Sequence, residues 1–132
     1  MKRMDAADFV RIRKAFQAAD HAQDVSPLSA VLDPEVAWAA KTAGPGNCHS
    51  RAEVLGIWRA GIAQGIVGHI EEFREVRGRI LFVLRRDHLP PDQPVLGTHV
   101  LSVHHGLVTQ IQDYPTPEEA LEALEPKLAT VD

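Results

Sequence analysis

The sequence predicts an α+β domain, with helices packed against a sheet built mainly of antiparallel strands. Two observations lead there. Up to about residue 64, apolar residues recur every three or four positions, as on one face of a helix. From residue 66 to 114 the period changes to two, as along strands. Helices followed by a run of strands belong to α+β order rather than to alternating parallel units.

Residues 5–21 form the first helix, because Phe9, Ile12, Phe16 and Ala19 make one apolar stripe. A short second helix begins at Ser26-Pro27, where serine can cap and proline fits the first turn. It carries Leu28, Val31 and Leu32, and Asp33-Pro34 ends it. Residues 35–40 are a strand with Val36 and Trp38 on one face, followed by a Gly/Pro loop over 41–47. Ser50-Arg51-Ala52-Glu53 matches a capping box and opens a helix to about residue 64. Its expected buried face is Val54, Ile57, Trp58, Gly61 and Ile62.

A long strand over 66–76 contains a bulge, since its alternation slips at Glu71-Glu72. Arg77-Gly78 is a turn. Residues 80–85 are apolar on both faces, with Ile80, Phe82 and Leu84 on one and Leu81 and Val83 on the other. Such a strand is covered twice: by helices on one side, leaving the other for a partner subunit. Residues 87–94, with three prolines, are a loop. Strands 95–103 and 107–114 form a hairpin, and Thr116-Pro117-Glu118-Glu119 starts a last helix with Leu121 and Leu124.

The composition excludes several functions. The 132 residues suit one domain with its own core. The formal charge of −4 comes without a basic face, so nucleic acid is not expected as a partner. No apolar run reaches membrane-spanning length, and the charged N-terminus lacks the core of a signal peptide. One cysteine, Cys48, permits no internal disulfide and suits the reducing cytoplasm. Cys48-His49 has no second Cys or His at ligand spacing, so no metal is expected. No phosphate loop, dinucleotide fingerprint or nucleophile elbow is present.

The last hairpin is the most informative stretch. A three-residue loop, His104-His105-Gly106, fits a type I turn plus a glycine bulge. Val103 then pairs with Leu107, His99 with Ile111, and Gly97 with Asp113. One face carries Val95, His99, Leu101, Val103, Leu107, Thr109, Ile111 and Asp113, and the other carries Val108 among its residues. The first face is the more apolar and is expected to look inward. His99 and Asp113 are diagonal neighbours on it, roughly 7–8 Å apart at the backbone. A two-residue loop would shift the register and separate them. A carboxylate and an imidazole facing an apolar hollow suit proton transfer. The same pair also suits a purely structural hydrogen bond.

The element order resembles the SnoaL-like branch of the nuclear transport factor 2-like superfamily over residues 7–124. The likeness rests on four pieces in sequence. They are Trp38 on an early strand, the loop Gly44-Pro45-Gly46, the stretch Cys48-His49-Ser50-Arg51-Ala52-Glu53-Val54, and the hairpin from His104 to Tyr114. The usual Asp-Gly turn is His105-Gly106 here, and Ser50 replaces a frequent glycine. This resemblance implies a cone-shaped, curved antiparallel sheet around a pocket, without cofactor, in a homodimer. It also implies Asp113 as acid/base and His99 as its partner, as in polyketide cyclases that take a proton from beside a carbonyl. The expected activity is that of a cofactor-independent isomerase, cyclase or lyase acting on a small hydrophobic molecule. A non-catalytic ligand-binding or dimeric interaction module is the alternative.

Trp38, Trp58, His69, Phe16, Phe82 and Leu101 are the expected pocket residues, since such sites are mostly apolar. The tyrosine of ketosteroid isomerases has no counterpart on the first helix, and the strand 36–40 lacks their aspartate. The Asp-Arg-Asp set of limonene epoxide hydrolases is not evident, because Arg85-Arg86 read as exposed strand charges.

Overall fold

The computed structural model describes residues 4–39, 48–87 and 95–124. The elements follow the predicted order: α1 (Ala6–Asp20), α2 (Ser26–Val31), β1 (Leu32–Ala39), α3 (Arg51–Ala63), β2 (Val67–Val76), β3 (Arg79–Asp87), β4 (Leu96–His104), β5 (Leu107–Tyr114) and α4 (Pro117–Leu124). The Gly44-Pro45-Gly46 loop and residues 88–94 lie outside the described residues.

Local chemistry sets the helix ends. Asp5 caps α1 by accepting from the Ala7 amide at 2.8 Å. Ser50 Oγ accepts from the Glu53 amide at 3.2 Å, while Glu53 reaches back to the His49 amide at 2.6 Å, one residue beyond the standard box. Thr116 Oγ1 accepts from the Glu119 amide at 3.2 Å and starts α4. Ser26 does not cap α2; its own amide donates to Asp24 Oδ1 at 3.1 Å. Proline in the first turn of α2 behaves as expected.

The five strands form one curved sheet in the order β1-β5-β4-β3-β2. Every neighbouring pair is antiparallel except β1 and β5, which run parallel. The predicted bulge in β2 is present: Ile70 pairs with Leu84 and Glu72 with Val83, leaving Glu71 as the extra residue.

Two apolar layers hold the sheet. The larger lies between its concave face and α1, α2 and α3. Phe16, fully buried, meets Phe82 at 5.1 Å and Trp58 at 5.6 Å between ring centres. The smaller joins Leu81, Val83 and Val100 on the outer face to Ala120 and Leu124 of α4. That second layer corrects one expectation. The outer face of β3, left by the sequence to a partner subunit, is covered by α4 of the same chain.

The final hairpin also departs from its predicted form. His104 pairs with Leu107, so the loop has two residues, His105 and Gly106. Their φ values of 53° and 78° are both left-handed, as a type I′ turn requires. Histidine is among the few residues that tolerate this region. Arg11 on α1 fastens the turn, its Nη2 donating to the Gly106 carbonyl at 2.6 Å. Immediately inside the turn, Val103 pairs with Val108 but Ser102 pairs with Gln110. Thr109 is therefore a bulge, and it restores the parity that the shorter turn removes. His99 and Asp113 end directly opposite one another rather than on the diagonal. The same shift corrects the near end of the strand: Val108, expected outside, is fully buried in the main core.

Candidate functional site

A cavity of about 340 Å³ opens between the C-terminal half of α3, the end of α1 and the far ends of β2, β3 and β4. Its walls are mostly apolar, with Trp38, Trp58, Ile57, Ile66 and Leu84 the main contributors. Its size falls at the lower end of small-molecule sites, which run from roughly 300 to 1,000 Å³. Ile57 and Gly61, expected in the helix's buried face, stand at this opening, and Leu55 is buried in their place.

Three ionisable side chains enter the wall: His99 from β4, Arg86 from β3 and Asp20 from the last turn of α1. His99 is the best anchored. Its Nδ1 lies 2.6 Å from Asp113 Oδ1, and the same oxygen accepts from Trp38 Nε1 at 2.7 Å. The indole can only donate, which makes this oxygen an acceptor and the histidine Nδ1–H its second donor. In the neutral ring the unprotonated atom is then Nε2. Phe82 and the edge of Trp38 pack against the imidazole, at 5.4 and 5.9 Å between centres, and hold its plane. Gly97 makes room beside it, since a Cβ there would stand 3.2 Å from His99 Nε2 and 3.6 Å from Arg86 Nε.

Asp20 is 7% exposed. Its Oδ1 accepts from Trp58 Nε1 at 2.6 Å. Its Oδ2 is buried and has no hydrogen-bond partner among the described residues. Burial pushes this carboxyl up to about 6; the Trp58 bond and the charges of His99 and Arg86 pull the other way without cancelling it. Gly68 allows the close approach of α1 to β2, since a Cβ there would sit 2.9 Å from Leu84 Cδ1 and 3.0 Å from Asp20 Cβ. Arg86 is half-buried, and burial lowers its guanidinium while Asp113 and Asp20 raise it.

Of the residues expected at a site, His99, Trp38 and Trp58 meet at this cavity, and Asp113 stands behind His99 and Trp38. Phe16, Phe82 and Leu101 are fully buried in the core and do not line it. His69 also turns away. The strand alternation puts Gly68 at the cavity, and the His69 Nε2 pairs with Asp87 Oδ2 at 2.9 Å. Arg86 corrects its sequence reading as an exposed strand charge, because it shares the inward parity of Ile80, Phe82 and Leu84. Asp20 was not singled out by sequence, although it follows Phe16 by four and so continues the apolar stripe of α1. Among the described residues no cluster of three or more His, Cys, Asp or Glu is placed to hold a metal. No described helix is long and apolar enough to cross a membrane.

No protein-family model and no curated protein matches the chain by sequence. Solved structures do match by fold. One, provisionally assigned as a polyketide cyclase from Sinorhizobium meliloti, is 19% identical, with a TM-score of 0.66 over 84% of this chain and all of that one. A nuclear transport factor 2-like protein of unknown function from Burkholderia pseudomallei is 20% identical, with a TM-score of 0.66 over 93% of this chain and all of the other. TerC, co-crystallised with polyporic acid, is 16% identical, with a TM-score of 0.63 over 89% and 97% of the two chains. At these identities the likeness is one of fold: the chain is folded as a nuclear transport factor 2-like domain.

Proposed function

We propose that this nuclear transport factor 2-like domain binds a small, largely hydrophobic molecule in the cavity and moves a proton from carbon beside a carbonyl. It would then be a cofactor-independent isomerase, cyclase or lyase. One observation carries the reading. A histidine lines an apolar cavity with its Nδ1 tied to a carboxylate that a tryptophan also holds. In that arrangement the roles expected from the resemblance exchange, because His99 lines the cavity and Asp113 does not: His99 Nε2 is the base, and Asp113 orients the ring and stabilises the imidazolium that forms. TerC with its polyporic acid supports a small ligand in this fold. The provisional polyketide cyclase assignment supports this class of chemistry, and both remain statements about those proteins.

Deuterium uptake tests the proposal without knowledge of the natural substrate. A panel of enolisable cyclic ketones is incubated with the protein in heavy water, and exchange beside the carbonyl is followed by mass spectrometry. Wild-type protein is expected to accelerate uptake by at least one member. His99→Gln is expected to slow it about a hundredfold or more, as loss of a general base does, and Asp113→Asn to slow it by a similar factor, since it leaves the base in the wrong tautomer and orientation. Equal uptake in the wild type and both variants would remove the catalytic reading and leave the alternative, a module that binds a ligand without converting it.

A homodimer in the cytoplasm is proposed with it. Val95, just before β4, and Leu96, its first residue, are 53% and 42% exposed and offer a small apolar patch for self-association. Light scattering at micromolar concentration tests the dimer; a clean monomer refutes it.

A further inference from the structure

The dyad accounts for His99 and Asp113 and leaves Asp20 unexplained. A carboxyl group on an apolar helix stripe is costly, and an aliphatic residue would serve the packing better. The group belongs to the cavity wall. One of its oxygens is committed to Trp58 at 2.6 Å, and the other has no hydrogen-bond partner among the described residues. Buried polar atoms left in this state are rare and call for an explanation. Asp20 shares the wall with His99, so a ligand offering a C–H to His99 has its remaining atoms within the space that Asp20 bounds.

We propose that Asp20 is the specificity-determining residue of this cavity, exchanging a hydrogen bond with one oxygen of the ligand, a carbonyl when Asp20 is protonated and a hydroxyl when it is ionised. The inference rests on the reading of the cavity as a small-molecule site and adds the ligand's polar group to it. A protonated carboxyl has an O–H to give to a carbonyl, whereas a carboxylate can only accept and repels the carbonyl oxygen. Burial moves this exchange of roles to about pH 6, within the physiological range. The titratable and charged groups facing Asp20 are His99 on β4 and Arg86 on β3, and Trp58 on α3 supplies the neutral donor. His99 lines the same cavity, so the test must separate the two.

1-Indanone and 1-indanol serve as probes, since they share a ring skeleton and differ at the oxygen. Their affinities are measured by calorimetry at pH 5 and pH 8 for the wild type, Asp20→Asn and His99→Gln. In the wild type the ketone is expected to bind roughly fivefold to tenfold more weakly at pH 8, the worth of one neutral hydrogen bond. The alcohol is expected to hold or gain affinity over the same range. The introduced carboxamide keeps an N–H donor at every pH, so in Asp20→Asn the ketone's dependence should vanish. It should persist in His99→Gln. Four results overturn the proposal: no pH dependence for the ketone, equal weakening of both probes, dependence that survives in Asp20→Asn, or dependence lost in His99→Gln. Failure of both probes to bind also overturns it. Should Asp20→Asn not fold, the ketone–alcohol contrast in the wild type and in His99→Gln decides alone. The deuterium-uptake result is independent of these affinities, so the dyad and Asp20 stand or fall separately.

Discussion

Replacing Asp20 by asparagine is expected to stabilise the protein at neutral and alkaline pH. Asparagine matches the volume of aspartate and keeps a carbonyl oxygen for the Trp58 indole, which donates at 2.6 Å in the wild type. What it removes is an ionisable group in a place that resists charge. The Asp20 carboxyl titrates at about 6 in the folded chain, against an ordinary value of 3.8. Between those values the folded chain retains a proton that the unfolded chain has released, so stability falls as pH rises. The cost grows through this window and is complete above about pH 7, where it reaches about 3 kcal/mol. At pH 4.5 only about 1 kcal/mol of it has been incurred, counted against a group that never ionises.

The stability advantage of Asp20→Asn over the wild type should therefore widen by about 2 kcal/mol between pH 4.5 and pH 8. Urea unfolding at the two pH values measures it, and the gap between midpoints should grow by roughly 1 M at a slope usual for a chain of this size. A gap that stays constant or narrows with rising pH would refute the reasoning, because it would mean that Asp20 ionises in the folded protein as readily as in the unfolded one.

Three further outcomes are expected. Deleting Thr109 removes the β5 bulge and turns fully buried Ile111 outward, at a cost of more than about 3 kcal/mol, whereas Thr109→Ala keeps the bulge and should cost under about 1 kcal/mol; circular dichroism during urea unfolding distinguishes them. In Gly68→Ala the new methyl meets Leu84 Cδ1 at 2.9 Å and Asp20 Cβ at 3.0 Å, so thermal unfolding should show a loss of about 1–3 kcal/mol. Trp58→Phe takes away the donor to Asp20, and carbon-detected NMR titration should find the Asp20 carboxyl above its wild-type value of about 6; an unchanged or lower value would refute the role given to that bond.

Much of the architecture was legible because local rules act on neighbours in the chain. The capping residues Ser50 and Thr116 start α3 and α4, and the slip at Glu71 marks the β2 bulge. The hairpin shows how a local rule can mislead. Gly106 pointed to a three-residue loop, but the chain makes a two-residue turn with His105 left-handed and spends its extra residue at Thr109. Both arrangements put His99 and Asp113 on one face, since a bulge at the turn and a bulge beside it have the same effect on parity. Only the second buries Val108 and sets the pair directly opposite.

By itself the sequence determined the element order, most of each apolar face and the placing of His99 and Asp113 on one face, all of which follow from periods of 3.6 and 2 along one chain. The tertiary structure alone decided which of the inward residues meet empty space. Phe16, Phe82 and Leu101 share the inward faces with Leu84, Arg86 and His99, yet the first three are packed over by helices and the others open on the cavity. That difference depends on where α1 ends and how α3 crosses the sheet. It brings Asp20 and Trp58, 38 positions apart, within one hydrogen bond. Periodicity assigns a side chain to a face, but the distance to the next layer is set by elements remote in sequence.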